Sequence, residues 1–231
     1  MTIDSHGHEH ELEPQYGLPE RLPNGERILW QGSPDAGELA RSAFHLRKLL
    51  LYFGALIALR GATVLADGGS WADAAWSLLL PSALALTGLM AVGLLAWLTA
   101  RTAVYTVTDR RVVMRIGIVL TLTFNLPLRM VESAALRPGQ RGHGDIVLRL
   151  KGPDRIAWLH LWPHARPWKL AQPEPMLRAV PDAAVVAARL ANAWSAATGV
   201  ALDPAASAAA TGPEASSGVQ APSGRLQPGL T

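Results

Sequence analysis

Three groups of side chains in this sequence have the types and spacing for chemistry. His6, His8 and His10 alternate with Gly7, Glu9 and Glu11. Imidazole and carboxylate donors suit zinc or nickel, but selectivity comes from fixed geometry. This run lies in a polar, acidic stretch expected to be loose, so no metal site is assigned to it. Trp158, His160 and Trp162 fall at alternate positions. In a strand they share one face, with Leu159 and Leu161 on the other. Aromatic residues anchor interfaces, so this face is a candidate partner surface. The alternative is packing against the C-terminal helix, on Trp194. His164, Arg166 and Trp168 extend the candidate surface into a Pro-rich connection. There Arg166, Trp168 and Lys169 can meet anionic headgroups or an acidic partner, or stand solvated. The third group is a single residue, Arg60, inside an apolar run. A charge there marks a binding or coupling residue, or it snorkels to the headgroups and pairs with Asp67.

No catalytic set accompanies these groups. The chain has no phosphate loop, no His-Glu-x-x-His and no recognisable serine–histidine–acid setting. His143 and Asp145 flank Gly144, a pattern of turn chemistry. The chain also has no cysteine, which removes disulfides, thiolate catalysis and Cys-ligated metals. The expectation is a protein that binds rather than catalyses.

The elements that must position these residues begin with two apolar runs. Leu49–Ala66 has eighteen residues and one charge, Arg60, and Trp76–Leu98 has twenty-three residues and none. A helix of about 20 residues crosses a bilayer core of about 30 Å. Pro81 falls early in the second run, where its missing donor does least harm. Arg41, Arg47 and Lys48 precede the first run, and Arg101, Arg110, Arg111 and Arg115 follow the second. The loop at 67–75 carries Asp67 and Asp73 but no Lys or Arg. The positive-inside rule then predicts both termini in the cytoplasm and this loop outside. Trp71, Trp76 and Trp97 would form the aromatic belt, with Arg47, Lys48 and Arg101 at the headgroup boundary. No cleavable signal peptide is expected. The formal charge of +3 is spent on these flanks, which favours membrane lipid over nucleic acid as the partner of the basic side chains.

Beyond Arg101 the pattern alternates. Ala103–Thr108, Arg111–Ile116, Val119–Leu126, Met130–Leu136, Asp145–Leu150 and Arg155–Trp162 read as about six short strands. Gly152-Pro153-Asp154 supplies the last hairpin turn, and Arg110 and Arg111 read as solvated turn residues. Pro163–Pro181 holds five prolines and reads as a connection. Ala183–Thr198 reads as a helix, with Asp182 as N-cap, Gly199 as stop and an apolar stripe through Val186, Leu190 and Trp194. The predicted organisation is a loose tail at 1–17, a cytoplasmic segment at 18–48, spans at 49–66 and 76–98, a domain at 101–199 and a loose tail at 200–231. The fold class is membrane α plus β: two transmembrane helices, then a small antiparallel barrel capped by a helix.

The stretches Gly25–Pro34 (GERILWQGSP) and Tyr105–Gly117 (YTVTDRRVVMRIG) resemble bacterial membrane proteins with a pleckstrin-homology-like domain. Others narrow the resemblance: Gly17–Glu20, Phe44–Lys48, Gly144–Ile146, Leu161–Trp168 (LWPHARPW) and Pro175–Arg178. These are similar to the photosynthetic complex assembly proteins of purple bacteria, over about Gly17 to Gly199. The resemblance implies a non-enzymatic assembly role in the cytoplasmic or intracytoplasmic membrane. Its implied partners are reaction-centre subunits, first the H subunit, and the core antenna. A homodimer is an alternative to the monomer. No cofactor is implied, although a neutral His160 or His164 has the chemistry to ligate the magnesium of a bacteriochlorophyll. Pigment delivery and general membrane organisation are the competing roles. Some pleckstrin-like domains bind phosphoinositides, a ligand a bacterial membrane gives little reason to expect.

Overall fold

The structure is a computed structural model that describes residues 16–152, 156–167, 169–170 and 172–200. A first strand, β1 (Ile28–Gly32), precedes a short helix, α1 (Ala36–Ser42), and two long helices, α2 (Leu46–Ala66) and α3 (Trp71–Thr102). Strands β2 (Val104–Thr108), β3 (Arg111–Ile116) and β4 (Leu122–Pro127) follow. Then come β5 (Val131–Pro138), β6 (Gly144–Leu150), a one-turn helix α4 (Trp158–Leu161), β7 (Met176–Val180) and α5 (Ala183–Thr198).

Helices α2 and α3 pack against each other as a hairpin. Ser70 starts α3 with a capping box: its hydroxyl accepts from Asp73 N–H, and its own N–H donates to the Asp73 carboxylate at 2.9 Å. Both helices are long and apolar enough to cross a membrane. Their outer faces are uncovered: Leu51, Leu80 and Leu84 are each more than 60% exposed. A helix apolar all round needs an apolar surrounding, and the other described residues do not supply one. At about 1.5 Å per residue, the 21 residues of α2 span about 32 Å and the 32 of α3 about 48 Å. The surplus of α3 emerges beyond α2 and packs on α1, where Leu39, Ala100 and Ala179 form a small buried cluster. Arg60 is exposed on α2 and makes no ion pair with Asp67 among the described residues.

The soluble part is two antiparallel sheets, ordered β1-β2-β3-β4 and β5-β6-β7, with α5 packed on β5. The two transmembrane-type helices followed by antiparallel sheets and a closing helix match the expected class. The first sheet differs in one respect. Its edge strand β1 comes from the segment before the long helices, and Gly32 of β1 pairs with Tyr105 of β2. Glu26, just before β1, is 8% exposed and binds Arg111 at 2.8 and 3.0 Å, while Thr108 Oγ1 donates to it at 2.8 Å. Arg111 is therefore a half-buried ion-pair partner rather than a solvated turn residue. Its attractor lies eighty-five residues away in sequence, out of reach of a local reading.

Tyr105, Val107, Met114, Ile146, Leu148, Leu177 and Leu190 are among the side chains filling the space between the sheets and α5. The stripe on α5 is as expected: Val186 and Leu190 are buried, and Trp194 Nε1–H donates to Val131 O at 2.9 Å. Two expectations fail. The segment expected as a strand at Arg155–Trp162 holds the turn of helix α4. Trp158 and Leu161, three apart, face the core, while Leu159 and His160 face out, so the period is helical and not two. The supposed connection at Pro163–Pro181 contains β7. All five of its residues are buried, so it shows no alternation for a sequence reading to find. Finally, the β3–β4 turn exposes Val119 at 90% and Leu120 at 79%. Gly117 allows the turn: its φ is +122°, and a Cβ there would collide with the Leu120 carbonyl.

Candidate functional site

The described part of the most distinctive sequence stretch, residues 161–167, builds two things at once: a buried polar knot and one wall of a cleft. Tyr105 on β2 reaches His164, whose Nδ1 lies 2.6 Å from the phenol oxygen. The same oxygen accepts the backbone N–H of Arg178 on β7 at 3.2 Å. His164 is 1% exposed. Burial, with help from the Arg178 charge, pulls its pKa down to about 3, so the ring is neutral. Burial pushes the Tyr105 phenol up, so it keeps its proton. The tautomer is assigned from the hydrogen bonds: the phenol oxygen accepts the Arg178 N–H and its proton has no acceptor besides Nδ1 among the described residues, so Tyr105 O–H donates to Nδ1 and the ring proton sits on Nε2, which is buried without a partner among those residues. Burial also lowers the Arg178 guanidinium, and the charge of Asp145 opposes that shift. Arg178 donates to Ala165 O at 3.3 Å, and its Nε has no partner among the described residues.

The cleft, about 570 Å³, lies beside this knot. Glu38 of α1, Lys48 of α2, Arg137 of β5, Asp145 of β6, Arg166 and Arg178 contribute its charges. It opens where α2 begins, at the base of the helical hairpin. Arg166 is committed to Glu174 at 2.7 Å, and Arg149 and Lys169 approach the same carboxylate at 3.4 and 3.8 Å. Burial alone would raise Glu174. The hydrogen bond and charge of Arg166, the charge of Lys169 and the Arg149 hydrogen bond outweigh it, and the carboxyl sits below its usual range. Outside the cleft, Trp162 packs edge-on against Phe44, with ring centroids 5.8 Å apart. Leu159 is 75% exposed and Leu170 64%.

The expected contact residues therefore divide. His160 and Trp162 are exposed, and Arg166 is half-buried in its ion pair. Trp158 is half-buried against the core and its Nε1 has no partner among the described residues. His164 is a correction: it is a core residue, 1% exposed, whose Nδ1 is bonded to the Tyr105 phenol away from water. It presents no nitrogen to a partner or pigment. Trp168 and the His6–Glu11 run lie outside the described residues. Among the helical residues, Arg47, Lys48, Trp71 and Trp76 are exposed, and Arg101 stacks over the Trp97 ring at 5.4 Å. No group of three or more His, Asp or Glu that could hold a metal occurs among the described residues. Sequence reasoning missed Tyr105, Glu38, Arg137, Glu174 and Arg178 as parts of this region. The Pro175–Arg178 stretch was the available signal for Arg178.

Two sheets, a closing helix and an edge strand contributed across a helical hairpin define a pleckstrin-type domain mounted on two apolar helices. The family model described as "Bacterial PH domain" matches residues 54–194, and the chain belongs to that family. A Rhodobacter capsulatus protein described as "Uncharacterized 23.7 kDa protein in puhA 5'region" is 40% identical over 193 residues. The match covers 80% of this chain and 87% of that one. No solved structure matches the chain.

Proposed function

We propose that this chain is a membrane-anchored assembly factor of the PuhB type, which holds subunits of the photosynthetic reaction centre while they join and catalyses nothing. The observation that carries this reading is the 40% identical Rhodobacter relative, described by its place in the 5′ region of puhA. The gene prefix is the one shared with PuhB, whose motifs the chain resembles at Leu161–Trp168 and Pro175–Arg178. Helices α2 and α3 anchor it in the cytoplasmic or intracytoplasmic membrane. The basic residues flanking the pair favour cytoplasmic termini. Pairing of β1 with β2 supports a single side for the segments before and after the hairpin. The partner surface is the exposed apolar rim of Leu159, Trp162 and Leu170, with His160 beside it. The first partner is the H subunit, and the core antenna follows.

The test is a mild-detergent pull-down of the tagged chain from phototrophically grown cells, with an absorption spectrum and subunit identification of the eluate. Reaction-centre subunits at partial pigment loading are expected. Bacteriochlorophyll without those subunits would replace this reading with pigment delivery. Neither subunits nor pigment would leave general membrane organisation in front.

A further inference from the structure

We infer that the cleft at the base of the helical hairpin binds the headgroup of a phospholipid bearing a primary ammonium, such as phosphatidylethanolamine. The inference rests on the membrane-spanning part of the reading above. Two buried groups in the cleft lack hydrogen-bond partners among the described residues. One is a donor, Arg178 Nε, on a side chain 6% exposed; the other is an acceptor, Glu38 Oε2, on a residue 7% exposed. Arg41 approaches the Glu38 oxygen at 3.3 Å without completing a hydrogen bond. Buried polar atoms without partners are rare in native proteins, and a donor and an acceptor beside one cleft call for a ligand with both complements.

The charges sharpen the choice. Lys48 and Arg137 are exposed at the rim and make no ion pair among the described residues, and with Arg178 they offer three cations. Arg166 is held by Glu174. Asp145 and Glu38 oppose them; one Asp145 oxygen accepts Ala179 N–H at 2.9 Å, and Glu38 is ion-paired at 3.3 Å with the more exposed Arg41, which leaves its Oε2 without a hydrogen bond among the described residues. A bare anion would satisfy the cations and face two carboxylates. A bare cation would do the reverse. A phosphate joined to an ammonium answers both sets, with the phosphate on the basic side chains and the ammonium donating to Glu38. A choline headgroup carries the same charges but has no N–H to give Glu38. The cleft volume is within the range of small-ligand sites. Lys48 is in the first turn of α2, immediately before the apolar run, so the mouth opens at headgroup level and acyl chains can continue along the helix.

The full-length chain, stripped of lipid in detergent, is titrated with phosphatidylethanolamine, phosphatidylcholine or phosphatidylglycerol and followed by native mass spectrometry. Phosphatidylethanolamine should bind about tenfold more tightly than either competitor, the scale of one charge-assisted hydrogen bond. Lys48→Ala with Arg137→Ala, both at exposed positions, should weaken that binding by about tenfold or more. Glu38→Ala, which removes the acceptor, should abolish the preference over phosphatidylcholine. Equal binding of the three lipids, or no effect of the double variant, overturns the inference. Displacement by soluble glycerophosphoethanolamine at concentrations equal to the lipid would assign the site to a free headgroup and overturn the lipid source. Carbonate-resistant membrane flotation of the same chain tests the spans separately, so a lost lipid preference in a chain that still floats sinks only this inference.

Discussion

Tyr105→Phe removes one oxygen from the domain and strands two buried groups. His164 Nδ1 loses the donor at 2.6 Å, and the Arg178 backbone N–H loses its acceptor at 3.2 Å. The ring itself still fits, because the phenyl volume is unchanged. Each buried group left unsatisfied costs about 1–3 kcal/mol, so the substitution should cost roughly 2–4 kcal/mol after the desolvation of the lost hydroxyl is credited. For a domain of about 100 residues, about 4–8 °C of melting temperature follows each kcal/mol, which gives a fall of roughly 8–32 °C. The assay is thermal unfolding of the full chain in detergent, followed by near-ultraviolet circular dichroism. A double-mutant cycle makes the result specific. His164→Leu strands the phenol proton, but Tyr105→Phe with His164→Leu replaces both partners by apolar groups. The double variant should be less damaged than the sum of the singles by about 1–3 kcal/mol. Additive effects, or a single-variant loss below about 0.5 kcal/mol, would refute the buried pair as described.

Three further predictions follow from the same geometry. His164 is held neutral with its pKa near 3 against an ordinary 6.5, so the unfolded chain binds the extra proton between those values. Stability is then complete above pH 6.5 and falls below it by about 1.4 kcal/mol per unit, and His164→Leu should flatten that slope between pH 6.5 and 5 in urea titrations. Glu174, held low by Arg166, adds its own loss only at more acidic pH, as the pH falls through its depressed pKa. Arg111→Met should cost about 3–5 kcal/mol, because it leaves the Glu26 carboxylate buried and unpaired, whereas adding Glu26→Leu should recover most of the loss. Trp162→Ala with Leu159→Ser should lower reaction-centre yield while chain levels in membranes stay normal. Unchanged yield would remove that rim from the partner surface.

The parts of this protein visible in its sequence are those whose signal is local. The apolar runs, the β2–β3 hairpin and helix α5 with Gly199 behind it all announce themselves within a few residues. The rest depends on distant partners. β1 is a plain five-residue segment until β2 arrives beside it seventy-odd positions later. β7 is buried on both faces and hemmed by prolines, so neither alternation nor flanking residues mark it. At Trp158–Trp162 the alternation was genuine as a pattern, yet core contacts at Trp158 and Leu161 selected a helical turn. The candidate site shows the same division. Trp162 and Lys48 could be singled out by residue type, while Arg178 and Glu38 matter only because α1, β5, β6 and β7 converge on one cleft.

The seam between β1 and β2 bears on how the chain is made. If α2 and α3 cross the membrane as proposed above, a ribosome releases β1 long before β2, and two hydrophobic segments pass through the insertion machinery in between. The two strands can meet only if an even number of crossings returns the chain to the compartment it left. A chain inserted with one segment skipped would strand β1 across the bilayer and leave β2 as a bare sheet edge, open to aggregation and proteolysis. On that reading, closure of the seam between β1 and β2 reports that both segments have crossed.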